Sequence, residues 1–217
     1  MPKVYEKQRE EVISDLSDMS EIAEEMLHNS IKALNNKDSN LAWEVIERDD
    51  VLDNIQFTIE DKVARMLSED NNHTSDIRFG LASSKIAINL ERIGDHATNI
   101  AETVMELKNE EYIEPLVMIP ELAEIVSDML SAVLESFITR NADLAEAACR
   151  KDERADNIYD QLYEKSIVLL DDCDGERKMN QVVRFINVAK SLERVGDHAT
   201  NIGEETIFIV TGNRVKY

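Results

Sequence analysis

Acidic residues one helical turn apart recur twice in this chain, inside a string that is itself repeated. Residues 90–103 read LERIGDHATNIAET and residues 192–205 read LERVGDHATNIGEE, identical at eleven of fourteen positions. A core tolerates many apolar solutions, whereas Glu, Asp, His and Asn held at fixed spacing point to specific chemistry. At 100° per residue, Glu91, Asp95, Asn99 and Glu102 project within an arc of about 80° on a helix, and Glu193, Asp197, Asn201 and Glu204 repeat it. Ile86, Leu90, Ile93, Ala97, Ile100 and Val104 occupy the other side, so the carboxylates are expected on a surface, turned away from their own core.

A second set lies upstream in each half: Asp49 and Asp53, matched at an offset of 103 by Asp152 and Asp156. A like-charge pair at i,i+4 costs an isolated helix about 0.2–0.5 kcal/mol, and four such pairs at equivalent places are unfavourable unless a cation offsets them. Carboxylates from adjacent helices make a hard, oxygen-rich site suited to Mg, Mn or Ca, or to Fe with bridging ligands. For a single ExxxD a solvated acidic face is the simpler explanation; duplication at equivalent positions shifts the balance towards metal.

The other residues of the string have plainer readings. His96 and His198 are turned about 140° from Glu91 and Glu193, which fits a half-buried imidazole bonded to a neighbouring helix better than a ligand. Arg92 and Arg194 can pair with the Asp three residues on, and such surface pairs contribute little. Gly94 and Gly196 in helix interiors cost about 1 kcal/mol each, a sign that another helix or a bound species approaches closely there. Trp43 and the methionines read as core filling, and Cys149 and Cys173 as helix-packing thiols of a reducing compartment.

Long helices must position these groups. Apolar residues at three- and four-residue steps predict six, at 4–35, 39–70, 75–108, 115–139, 142–172 and 176–210. Six Gly and three Pro leave little material for the turns of a β protein. Polar turns separate the helices: Asn35, Asn36, Asp38 and Ser39; Asn71, Asn72, Thr74 and Ser75; Asn141 and Asp143; Asp174 and Gly175; Gly212 and Asn213 close the last. Pro115 and Pro120 suit the start of the fourth. Leu41, Leu34 and Met26 also fall on Leu144, Phe137 and Met129 at the offset of 103. The expected fold is all-α: two tandem antiparallel three-helix bundles, 1–110 and 111–217, related by an internal repeat.

The formal net charge of −21 repels phosphodiester backbones and anionic lipid. Direct nucleic-acid binding is therefore not expected, and no run approaches the ~18 apolar residues of a membrane span. The opening MPKVYEKQREEV lacks a signal region, so the protein is expected in the cytosol.

The repeated E(R)xGDHxxNI string with the paired DxxxD segments resembles the PhoU family of phosphate-transport and phosphate-signalling regulators, and the resemblance spans essentially the whole chain. It implies two metal sites, one of Asp49, Asp53, Glu91 and Asp95, the other of Asp152, Asp156, Glu193 and Asp197, with Asn99, Glu102, Asn201 and Glu204 as further candidate ligands. Mg, Mn, Fe or Zn would be the metal. Glu60 continues the stripe in the first half where Tyr163 stands in the second, so the two sites need not hold equal numbers of ions. The resemblance also implies a cytoplasmic homodimer without enzymatic turnover that represses the phosphate-starvation (Pho) response, linking the phosphate ABC transporter ATPase subunit to the phosphate sensor histidine kinase. Two other classes compete: a di-iron carboxylate enzyme, which wants Glu-x-x-His projecting into a four-helix core, and a plain helical scaffold with solvated acidic faces.

Overall fold

A computed structural model of the protein describes residues 2–68, 73–113, 118–171 and 175–217. Among these there is no strand, and the helices are α1 (Pro2–Asn36), α2 (Ser39–Glu47), α3 (Asp49–Leu67), α4 (Thr74–Leu107), α5 (Met118–Thr139), α6 (Ala142–Cys149), α7 (Asp152–Asp171) and α8 (Glu176–Thr211). Asn71, Asn72, Pro115, Cys173 and Asp174 lie outside the described residues.

The chain forms two three-helix bundles, α1 with α2–α3 and α4, then α5 with α6–α7 and α8. Their turns are built alike. Lys37 and Arg140, 103 positions apart, both adopt φ of 53°. The next residue in each case caps the helix that follows: Asp38 accepts from the Asn40 and Leu41 amides, and Asn141 from the Leu144 amide, at 3.1 Å. The Asp38 and Asn141 amides reach back to the Ala33 and Ser136 carbonyls, so a left-handed residue ends one helix and a side-chain cap starts the next.

The second and fifth predicted helices are each two. The first breaks at Arg48 and the other at Arg150–Lys151. At both breaks the amides turn to i−3 carbonyls, as in Val51 to Arg48 and Arg154 to Lys151. Arg48 and Arg150 keep right-handed helical angles, so the apolar phase carries through and periodicity alone reads one helix. The break has a consequence for the site: Asp49 and Asp152 each stand first in a new helix. The positive end of the helix favours a carboxylate there, which offsets part of the like-charge cost that sequence spacing assigns to these pairs.

α4 and α8 run antiparallel through the middle of the molecule, joined by Lys85 to Glu205 at 2.6 Å near one end and Arg184 to Glu106 at 2.9 Å near the other. Leu90, Ile93, Ala97 and Ile100 of α4, and Leu192, Val195, Ala199 and Ile202 of α8, are fully buried in one core shared by both bundles. Met19, Met26, Met66 and Met129 fill that core, and Cys149 is a buried free thiol. Trp43 does not join them: it is 51% exposed on α2. At three-residue steps Trp43 is in phase with Asn40 and Ile46, but the apolar face of the short α2 runs through Ala42 and Val45.

Candidate metal centres

Each carboxylate set is assembled where a helix that starts with Asp crosses a glycine of the repeated string. On α4, Gly94 leaves the space that Leu52 of α3 fills; a Cβ there would stand 2.3 Å from Leu52 Cδ1. On α8, a Cβ at Gly196 would stand 3.2 Å from Asp152 Oδ1, so a candidate ligand itself makes the close approach. These contacts bring α3 onto α4 and α7 onto α8 close enough for Asp49 to feel the charges of Asp53 and Asp95, and Asp152 those of Asp156, Asp197 and Glu193.

The electrostatics record the proximity. Burial pushes the Asp49 and Glu91 carboxyls up from their ordinary range, and the negative charges of Asp95 and Asp53 push both further. The Thr98 hydroxyl opposes this for Asp49 by donating to Oδ1 at 3.1 Å. In the second set Asp152 is pushed up to about 6, by burial first and then by Asp156, Asp197 and Glu193. Asp156 is raised by burial and by Glu193 and Asp197.

Side-chain cations offset only part of this charge. Arg92 lies 2.8 Å from Asp95 and 3.3 Å from Glu91, and Arg194 2.9 Å from Asp197 and 3.6 Å from Glu193. Lys190 adds a 2.8 Å bond to Glu193, with no counterpart in the first half, where Ile88 stands. The two glutamates are less open than a free helix face, with side chains 15% and 14% exposed for Glu91 and Glu193, whereas Asp156 is exposed. Among the described residues no three His, Cys, Asp or Glu side chains are grouped closely enough to hold a metal ion as they stand. The chemistry of the donors, all carboxylates, would suit a hard cation, which would relieve the burial and repulsion that push Asp49, Glu91, Asp152 and Asp156 up.

The extensions of the stripes have further neighbours. Asn99 and Glu102 face a cleft of about 310 Å³ between α4 and α8, which they line with His96, Glu106, Arg184 and Lys190. Glu204 accepts from the Tyr217 amide at 2.8 Å and lies near Cys149, whose thiol is pushed up to about 12 by burial and then by Glu204 and Asp152. Asn201 is half-buried on α8.

The two histidines meet across the seam between bundles. Their rings stack at 5.6 Å, and the His198 Nδ1–H donates to Asn89 Oδ1 of α4 at 2.9 Å. Burial holds both below the usual imidazole value, His198 at about 4, where His96 also contributes. Within each string, then, Asp faces the carboxylates and the next residue, His, faces the other repeat.

Sequence reasoning overlooked Thr98 and Lys190. Thr98 sits inside the repeated string and could have been read as a partner for the upstream Asp. Lys190 falls outside it and carries no repeat signal.

Asp152→Asn is expected to stabilise metal-free protein. Between pH 3.8 and about 6 the folded state keeps a proton that the unfolded chain has released, so this carboxyl lowers stability as pH rises through that window, with the full deficit above it. His198 has the opposite sign: its contribution is present above 6.5 and is lost as pH falls towards 4. The difference between variant and parent isolates Asp152. In urea unfolding with a chelator near neutral pH, Asp152→Asn should gain about 1–2 kcal/mol, and the gain should shrink as the pH is lowered towards 4. An unchanged or lowered midpoint would contradict the stated cause.

The fold and site define a class: a tandem-repeat helical protein in which each three-helix bundle brings acidic residues of its second and third arms within electrostatic reach of one another. A family model described as the PhoU domain matches residues 16–104 and again 119–206. A Clostridium acetobutylicum protein named phosphate-specific transport system accessory protein PhoU homolog is 33% identical over 214 residues, covering 98% of this chain and 97% of that one. The crystal structure of PhoU from Pseudomonas aeruginosa superposes with a TM-score of 0.92 at 30% identity, covering 96% of this chain and all of that one. That of the phosphate transport system regulatory protein PhoU from Streptococcus pneumoniae gives 0.89 at 26%, covering 98% of this chain. The chain belongs to the PhoU family.

Proposed function

We propose that this protein is a metal-binding accessory regulator of phosphate uptake, which represses the phosphate-starvation response by linking the phosphate ABC transporter ATPase to the sensor histidine kinase. The observation that supports the metal part is that two carboxylates in each repeat, Asp49 and Glu91 in the first and Asp152 and Asp156 in the second, are pushed up by burial and then by neighbouring carboxylates. Family membership supports the phosphate role, since relatives over nearly the whole chain are named as accessory proteins of phosphate-specific transport. The protein acts in the cytoplasm as a homodimer and turns over no substrate; among the described residues no helix is long and apolar enough to cross a membrane. Asp49, Asp53, Glu91 and Asp95 hold metal in one bundle, and Asp152, Asp156, Glu193 and Asp197 in the other. Bound cations would offset the clustered charge and fix the shape of the α3–α4 and α7–α8 faces, which sets the docking surface.

Affinity capture with the tagged ATPase subunit and, separately, the tagged kinase tests the adaptor role. Both should retain the protein in metal-replete buffer, with retention falling several-fold after chelation. Failure with both partners in metal-replete buffer would overturn it.

A further inference from the structure

The helix pairs α2–α3 and α6–α7 hold equivalent places in the two repeats, and their inward faces match in the paired Asp residues described above. Their outward faces differ. On α2–α3 three large apolar side chains stand in solvent: Trp43 at 51%, Val51 at 43% and Phe57 at 62%. Glu44, Glu47 and Asp50 are exposed among them. Arg48 is the only Lys or Arg between Lys37 and Lys62, and its guanidinium is drawn to Glu25 on α1. The positions matching Trp43, Val51 and Phe57 are Glu146, Arg154 and Asp160, and Glu47 is matched by Arg150. There Arg150 pairs with Glu146 at 2.6 Å and Arg154 with Glu121 at 3.2 Å, so the second face neutralises itself.

We propose that the outward face of α2–α3 is a docking surface for a basic amphipathic segment of a partner protein. The partner's apolar side chains cover Trp43 and Phe57, and its Lys or Arg residues meet Glu44, Glu47 and Asp50. Trp43 and Phe57 are roughly 20 Å apart along the helical rise, which matches about four turns of a partner helix. Charge selects this occupant. A second copy packed by two-fold symmetry would set these carboxylates against themselves, and an anionic membrane would be repelled. The inference rests on the adaptor reading only in supposing that the protein has a protein partner; it does not involve the metal sites.

Trp43 is the only tryptophan and therefore reports directly on this face. The full chain is titrated at low ionic strength with a synthetic helix of Leu and Lys alone, and with its Leu and Glu counterpart. The Lys peptide should shift Trp43 emission to the blue saturably, and the Glu peptide should not. Glu44→Lys with Glu47→Lys should weaken binding by about tenfold or more, whereas Glu153→Lys with Glu164→Lys, the same charge change on the exposed face of α7, should alter it less than about twofold. Phe57→Gln should weaken binding without changing net charge. Circular dichroism verifies that each variant is folded. The surface is overturned by no blue shift, by equal losses from the two charge-reversal pairs, or by a shift on concentrating the protein without peptide, which would signal self-association. Lost capture of the ATPase and kinase with peptide binding intact would remove the adaptor role alone. Intact capture without peptide binding would remove this surface alone.

Discussion

Leu52→Ala is expected to destabilise the protein by about 2–5 kcal/mol, the range for emptying a fully buried leucine site that cannot collapse. Leu52 is 1% exposed and fills the space that Gly94 leaves on α4. Gly94→Ala alone should also be harmful: its Cβ would overlap Leu52 Cδ1, and overpacking costs typically about 1–3 kcal/mol against a helix-propensity gain of about 1 kcal/mol. Combined with Leu52→Ala, the same Gly94→Ala change should be neutral or stabilising, since the obstructing methyl is gone and only the propensity gain remains. A double-mutant cycle by urea unfolding should therefore give a coupling of about 1–3 kcal/mol. Additive effects would mean that this contact does not hold α3 against α4, and the approach of Asp49 to the charge of Asp95 would lose its explanation.

The second large effect is stabilisation by metal. A ligand that binds only the folded state at a hundredfold excess over its dissociation constant adds about 2.7 kcal/mol, which for a chain of this size raises Tm by about 5–10 °C. Addition of Mg or Mn to chelated protein should produce a shift of this order in a thermal melt. Asp95→Ala with Asp197→Ala should remove it, because each substitution takes a central carboxylate from one quartet. Folding itself should survive, since both side chains sit at the edge of the core and their present partners are the exposed Arg92 and Arg194. A shift that persists in the double variant would place the bound metal elsewhere.

How far the sequence discloses this depends on the kind of interaction. The two bundles were legible, because apolar periodicity, side-chain spacing and an internal repeat all report on helices that stay in phase. The breaks at Arg48 and Arg150–Lys151 were not, because residues there keep helical angles and no Gly or Pro marks them. Their effect on the site is nevertheless direct, since they place Asp49 and Asp152 at helix starts. Trp43 was misread because residue type suggested burial while its place on α2 put it in water. The histidine stack was beyond reach for another reason: spacing showed that His96 and His198 face away from the carboxylates, but only the packing of α4 on α8 brings the rings to 5.6 Å. Asn99 and Glu102, on the stripe by spacing, border the α4–α8 cleft because the stripe outruns the stretch of α4 that α3 covers.

The central claim is that each repeat holds metal between its DxxxD helix and its repeated string. Elemental analysis tests it most directly, on purified protein chelated mildly, reloaded with Mn or Fe and freed of excess, beside the Asp95→Ala, Asp197→Ala and doubly substituted proteins. The account predicts stoichiometric metal in the parent, loss from one repeat in each single variant, and none in the double. A parent that retains no stoichiometric metal, or a double variant that retains as much as the parent, would contradict it.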